Sequence, residues 1–243
     1  MRNVVVTDPP RADAGLVAEL AGFGVATAHE ALGGTGFLGP LLRPVQPGSR
    51  SSGTAITALC WPGDNLMVHA AVEQCRPGDV LVVTTVSPCS DGLIGELLAT
   101  SLRARGVRGA VIDGGVRDVA ALRALDFPVW SASISAQRTV KATAGAVNVP
   151  VCVGGQLVRP GDAIIADDDG VLCVPAGEVP RVLQAARARA RREDAMRAAL
   201  AAGQLGLDLH GLREQLDRLG VSYVTAAEYA AAEYAKDGGG DPA

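Results

Sequence analysis

An α/β body over about residues 1–176, followed by a helical C-terminal arm, is the fold class this sequence predicts, on three observations. Up to about residue 146, short apolar runs bounded by Gly, Pro and Asp alternate with stretches of helical length, the pattern of strands interleaved with helices. Between Val147 and Val174 the apolar runs are separated by turn signals such as PGD and DDDG, which reads as a β-meander. From Gly177 the chain becomes an Ala/Arg-rich helix to about Ala202, with a further helical stretch over Leu207–Leu219,. At 243 residues the chain is long enough for one full core with an appendage,.

Taken in order, residues 1–10 are a short tail with Val4–Val6 as a candidate strand. Asp13–Ala21 and Val25–Leu32 read as helices broken at Gly22-Phe-Gly24,. Thr27-Ala-His29-Glu30 is consistent with a site or with a helix start carrying a packed histidine. The Gly- and Pro-rich segment Gly33–Ser52 is expected as a loop and Gly53–Leu59 as a strand,. Trp61-Pro-Gly-Asp64 caps a helix over Asn65–Gln74, whose His69 reads as packed. Pro77-Gly-Asp79 turns into a strand over Val80–Thr84. "RPGD" before apolar residues occurs at Arg76 and again at Arg159, and is expected to be one turn used twice. Asp167-Asp-Asp169 lacks the spacing of a Ca²⁺ loop and reads as a hairpin turn before Gly170.

The richest stretch for chemistry is Gly95–Asp118. Leu97–Arg105 has helical apolar spacing and stops at Gly106; Val107–Ile112 reads as a buried strand, and Asp113-Gly-Gly as a turn. A helix starting at Glu96 and a strand returning beside it would bring Glu96, Arg117 and Asp118 together at one sheet edge. An acid, an arginine and a second acid suit a hard divalent cation and an anionic substrate. The same residues also fit a surface ion pair and a first-turn acid favoured by the helix dipole.

Composition excludes several classes of function. Aromatic residues are 3% of the chain, too few for base stacking, and the net charge of −4 argues against nucleic acid,. The five cysteines form no CxxC pair and are expected as buried free thiols, with Cys152 and Cys173 inside apolar runs,. With no signal-peptide pattern and no apolar run of bilayer length, a cytoplasmic protein without membrane contact is expected. The segment 226–243 is expected to be a frayed tail,.

The spacing Glu96-x20-Arg117-Asp118, within GELLATSLRARGVRGAVIDGGVRD, resembles the acid-x20-Arg-Asp motif of the divalent-metal-dependent pyruvate aldolases. These act on 4-hydroxy-4-methyl-2-oxoglutarate and 4-carboxy-4-hydroxy-2-oxoadipate, and share a fold with the regulator of ribonuclease E activity (protein A). The likeness continues through Gly63–Val83, Ser135–Pro150, Ala166–Val171 and Leu205–Asp208, most closely to the carboxy-hydroxy-oxoadipate branch. It implies an αββα sandwich assembled as homotrimers or hexamers, with sites between subunits and the arm 177–225 packed on a neighbour. It implies retro-aldol cleavage to pyruvate in aromatic-acid (protocatechuate or gallate) degradation, with oxaloacetate decarboxylation as a side activity. Mg²⁺ or Mn²⁺ would be held directly by Asp118, and through water by Glu96 and by Glu193 of a neighbouring subunit. Arg117 would donate to the substrate C2 oxygen, and the amides over Gly95, Glu96, Leu97 and Leu98 would take its carboxylate. Asn65 and Lys141 match positions for the distal end of the substrate. His210 stands where the family has Tyr, and is open between substrate contact and packing. A non-catalytic regulator of a ribonuclease shares the fold and the motif, and is the alternative. Pyruvate aldolases use a metal or a lysine Schiff base. The chain has two lysines, Lys141 and Lys236, and the polar surroundings of Lys141 favour the metal.

Overall fold

A computed structural model of the chain describes residues 3–236. It divides into a first unit ending at Ala190 and a second beginning at Arg191. In chain order the first unit holds β1 (Val4–Val5), α1 (Ala14–Ala21), α2 (Gly24–Ala31), β2 (Arg43–Pro44), β3 (Ser51–Cys60) and α3 (Leu66–Gln74). There follow β4 (Asp79–Thr85), β5 (Gly92–Ile94), α4 (Glu96–Ala104), β6 (Gly109–Val116), α5 (Val119–Leu125) and β7 (Val129–Ile134). It closes with β8 (Ala146–Val147), β9 (Val151–Val153), β10 (Gln156–Val158), β11 (Ala163–Asp167), β12 (Gly170–Val174) and the first turns of α6 (Val179–Ala201).

The main sheet runs β1-β8-β3-β4-β6-β7-β2, with β5 beside β6 and the β11–β12 hairpin leaving from β3. Its centre, β3-β4-β6-β7, is parallel. Parallel strands need crossovers, and α3, α4 and α5 lie in the three connections. Period-two alternation then sorts the side chains into three apolar layers. Ile56, Leu81, Val83, Ala110 and Ile112 face α3–α5. Ala55, Val80, Val82, Val111 and Trp130 face the other way, onto Ile164, Ala166, Val171 and Cys173 of the hairpin. The hairpin's remaining residues, Ala163, Ile165, Leu172 and Val174, meet α1, α2 and α6. Helices, sheet, hairpin layer, helices: this is the expected αββα order.

The two RPGD turns are built alike. Asp79 Oδ2 accepts from the Arg76 amide at 2.8 Å, and Asp162 Oδ2 from the Arg159 amide at 2.9 Å. Asp167 closes the β11–β12 hairpin and caps α2 through the Val25 amide, 2.9 Å. His29 packs edge-on against Phe37.

Four expectations are corrected. Asp113-Gly-Gly is not a turn but the second half of β6. Its glycines let the chain pass close to the 89–91 loop, since a Cβ on Gly115 would lie 2.1 Å from Ser90 O. The 33–52 segment is not all loop, because β2 pairs antiparallel with β7. The meander has an extra strand, β10, paired only with β9. Cys152 faces out of the short β9 and is exposed; only Cys60, Cys75 and Cys173 are buried. Burial pushes the Cys60 and Cys75 thiols up to about 12, and Cys173 further, so none of the three is a thiolate at neutral pH,.

The arm also begins differently from expectation. Val179, Val182, Leu183 and Ala186 form an i, i+3, i+4, i+7 stripe buried in the third layer,. Those turns of α6 belong to the core of their own chain. The second unit holds the rest of α6, then α7 (Gly206–Leu209), α8 (Arg213–Arg218) and α9 (Ala226–Lys236). The segment expected to be frayed thus starts with a helix, and its remainder lies outside the described residues. No helix among the described residues is long and apolar enough to cross a membrane.

Leu183 is 2% exposed. Leu183→Ala should therefore cost about 2–5 kcal/mol in urea unfolding. A loss below about 0.5 kcal/mol would show that α6 is not part of this core.

Candidate active site

Two helix starts are delivered side by side at the carboxyl ends of parallel strands, the usual place for a ligand crevice in an α/β sheet. β5 ends at Ile94 and α4 starts at Glu96; β6 ends at Val116 and α5 starts after Asp118. β5 and β6 are parallel, with Gly92 opposite Gly115 and Ile94 opposite Val116. The Arg117 amide donates to Ile94 O at 3.0 Å, carrying the pairing one residue beyond the strands. Asp118 then takes a left-handed conformation, φ 58° and ψ 37°, which Asp tolerates better than most residues. That turn aims its carboxylate at the start of α4, where Oδ2 accepts from the Glu96 amide at 3.1 Å.

Gly95 makes the approach possible. Its backbone is extended, φ −139°, so space rather than conformation demands glycine. A Cβ there would sit 2.3 Å from Asp118 Oδ2 and 3.0 Å from Arg117 Cγ. Arg117 Nε stands 3.5 Å from Asp118 Oδ2, with each side chain about two-fifths exposed. An exposed pair of this kind contributes little stability. Both groups remain accessible to a ligand.

In front of this junction lies a cavity of about 320 Å³. Gly95, Leu97, Leu98, Arg117 and Asp118 line one side, Asn65 and His69 of α3 another, and Arg138, Thr139 and Lys141 a third. It thus gathers the expected Gly95, Leu97, Leu98, Asn65, Arg117, Asp118 and Lys141. Glu96 contributes its amide to the junction, but its carboxylate accepts from the Thr100 hydroxyl at 2.8 Å and does not line the cavity. Glu193 and His210 belong to the second unit. Glu193 is half-buried in α6, and His210 follows α7 with its amide on Gly206 O.

Sequence reasoning passed over His69, Arg138, Thr139 and Gly92 as site residues. The available signal for His69 was its i+4 spacing from Asn65 on one helix. For Arg138 it was the nearness to Lys141.

The third wall is held by one carboxylate. Asp64 Oδ2 accepts from the amides of Ala142 and Thr143 at 2.8 and 2.7 Å, and Oδ1 from Leu66 at 2.8 Å. Val140 bonds to both Gly63 and Asn65 through backbone groups. Burial alone would raise the Asp64 pKa, but the Leu66, Ala142 and Thr143 amides outweigh it and hold it below the ordinary value,. His69 is pushed down by burial and then by Lys141, so it stays neutral near pH 7. Asn65 is fixed by its Nδ2, which donates to Leu93 O at 3.0 Å; its buried Oδ1 has no partner among the described residues. Leaving such an acceptor unmet costs about 1–3 kcal/mol, so a hydroxyl or water donor is favoured there.

The donor set discriminates between metals. Among the described residues no three His, Cys, Asp or Glu side chains converge, so a cage of the structural-zinc kind is not built from them. One accessible carboxylate with open space before it fits a hard cation that keeps most of its waters, as Mg²⁺ does. A larger cavity, about 430 Å³, lies by Arg50, Arg108 and Asp167. Its single carboxylate is already taken by the Val25 and Asp169 amides, so the smaller cavity is the better reaction site.

Residues 25–173 match the family model described as RraA-like: Aldolase/RraA. A Halalkalibacterium halodurans protein named "Putative 4-hydroxy-4-methyl-2-oxoglutarate aldolase" is 33% identical over 171 residues, 70% of this chain and 81% of the relative. A Burkholderia multivorans protein of the same name is 39% identical over 148 residues, 60% of this chain and 90% of the relative. The crystal structure of Streptomyces coelicolor RraAS2, described as an unusual member of the RNase ES inhibitor RraA protein family, superposes with a TM-score of 0.70. It is 30% identical and covers 77% of this chain and 98% of its own.

Asp64→Asn should lower stability at neutral pH by about 1–3 kcal/mol in urea unfolding. Because the folded pKa is depressed, the wild-type advantage is full above the unfolded value of about 3.9. It disappears as pH falls through the lower folded value. A gap equally wide in acid and at neutrality would contradict the role given to Asp64.

Proposed function

The chain belongs to the RraA-like family, Aldolase/RraA, and on that premise we propose that it is a divalent-metal-dependent aldolase. The reaction is cleavage of 4-carboxy-4-hydroxy-2-oxoadipate to pyruvate and oxaloacetate. The second substrate is 4-hydroxy-4-methyl-2-oxoglutarate, the compound in the names of the two relatives, and oxaloacetate decarboxylation is the side activity. The setting is aromatic-acid breakdown in the cytoplasm, by a homotrimer or hexamer. One observation carries the reading: an accessible Asp118, Arg117 beside it and the open start of α4 meet around Gly95 in one cavity.

Retro-aldol cleavage breaks the C3–C4 bond and leaves the electron pair on the pyruvate half, so negative charge grows on the C2 oxygen. Stabilising that charge is the task of the site. Asp118 would hold Mg²⁺ or Mn²⁺, with Glu96 and a neighbouring subunit's Glu193 reaching it only through water. When bound, the cation supplies Lewis-acid stabilisation of the C2 oxygen. Arg117 donates to the same oxygen, its backbone amide held by the Ile94 carbonyl behind it. The amides of Leu97 and Leu98, at the positive end of α4, take the C1 carboxylate. Asn65 Oδ1 accepts from the C4 hydroxyl and orients it. As the new carbonyl forms, that hydroxyl gives its proton to a solvent water, and a water returns one proton to C3 of the enolate to complete pyruvate. Lys141 contacts a carboxylate on the distal half. His210 of the arm would contribute from the second subunit.

The likeness to RraAS2 supports one other reading, a non-catalytic partner of a ribonuclease. Pyruvate release from both hydroxy-oxo acids separates the two. The aldolase should act with Mg²⁺, fall silent in EDTA, and recover when Mg²⁺ or Mn²⁺ returns. Arg117→Lys should lower kcat by about 10²–10³-fold, because an ammonium cannot reproduce the planar fork. Folded protein without turnover on either acid or on oxaloacetate would leave the regulator reading.

A further inference from the structure

Three cations line the cavity, Arg117, Arg138 and Lys141, against one acid, Asp118. His69 adds no charge, since burial and Lys141 hold it neutral. Arg117 stands beside Asp118 and, in the reading above, is assigned to the C2 oxygen. Among the described residues neither Arg138 nor Lys141 has an ion-pair partner; each is exposed and available. The segment that carries them is not loose. The Gly92 amide donates to Gln137 O at 2.9 Å, so the segment starts beside the strand that leads to Gly95. The Gly63–Val140 and Asn65–Val140 bonds, then Asp64 on Ala142 and Thr143, fix its other end against α3. Arg138 and Lys141 are therefore two cations three residues apart on a wall tied down on both sides of them.

Building on the reading of the cavity given above, we propose that Arg138 is a specificity-determining residue. It recognises the one substituent by which the two substrates differ. On C4, 4-hydroxy-4-methyl-2-oxoglutarate bears a methyl group, where 4-carboxy-4-hydroxy-2-oxoadipate bears a carboxymethyl group. Each acid carries a carboxylate at C1, met by the start of α4, and one on C4, met by Lys141. The oxoadipate alone carries a third carboxylate, and Arg138 is the cation of the cavity left to meet it. A guanidinium suits that task, because its fork pairs with a carboxylate through two parallel hydrogen bonds. For the methyl-bearing substrate the same side chain remains in water and contributes little.

The test compares kcat/KM for the two acids in wild type, Arg138→Gln and Arg138→Lys. The ratio favouring the tricarboxylate should fall about 10- to 100-fold in Arg138→Gln, the range for losing a charged hydrogen-bonded partner. Arg138→Lys should keep part of the preference. An unchanged ratio, or equal losses on both substrates, would overturn the proposal. Binding provides an arm independent of turnover. Propane-1,2,3-tricarboxylate should bind wild type more tightly than glutarate by calorimetry, and Arg138→Gln should erase that difference. If wild type cleaves neither acid but shows this Arg138-dependent preference, the aldolase reading falls and the proposal stands. If wild type shows no preference in binding or in turnover, the proposal falls.

Discussion

The contact on which the site depends is the one between Asp118 and the first turn of α4. A carboxylate on a left-handed residue at the end of one strand accepts from the amide that opens the helix after the neighbouring strand. Neither element could hold this geometry alone. It needs β5 and β6 in parallel register, which needs glycines where β6 passes the 89–91 loop. It needs no side chain at Gly95, because a Cβ there would occupy the space of Asp118 Oδ2. The contact is also what gives the cavity its chemistry. It leaves a carboxylate and a guanidinium accessible, side by side, at the positive end of a helix.

A second constraint works on the opposite wall. Asp64 is nearly inaccessible, and it accepts three backbone amides from two different elements. A buried carboxylate is favourable only when so fully hydrogen-bonded. Here the bonds fix the segment that presents Lys141 and Arg138, and hold Asn65 so that one end of its amide is used and the other is not. The cavity is thus rigid in its backbone and left incomplete at Asn65 Oδ1 and at its cations. An anionic ligand bearing a hydroxyl group matches those gaps.

Much of this was legible in the sequence where local signals and tertiary demands coincide. The helix after Gly95 follows from apolar spacing, and its meeting with Arg117 and Asp118 follows from the length of helix and strand between Glu96 and Arg117. The repeated RPGD was readable as one turn because the same Asp-to-Arg-amide bond closes each. Other features are tertiary and were misread. Asp113-Gly-Gly has the composition of a turn, but its glycines answer a close approach from another strand. The buried stripe of α6 was hidden by the Arg and Ala residues around it, although Val179, Val182, Leu183 and Ala186 are at helical spacing. Cys152 lies in an apolar run whose strand is only three residues long and shows that side chain to solvent. Arg138 and Thr139 enter the site because Asp64, far away in sequence, holds their segment. The only local hint is that Arg138 lies close to Lys141 in sequence.

The central claim is that the Asp118–Arg117–Gly95 junction stabilises the enolate of pyruvate with the help of a divalent cation. Proton exchange at the pyruvate methyl group tests this without requiring that the full substrate be known. In D₂O with Mg²⁺, ¹H NMR should show protein-dependent loss of the methyl signal, abolished by EDTA and by Asp118→Asn in a protein that stays folded. Exchange no faster than in protein-free solution, or exchange that survives both EDTA and the loss of Asp118, would contradict the account.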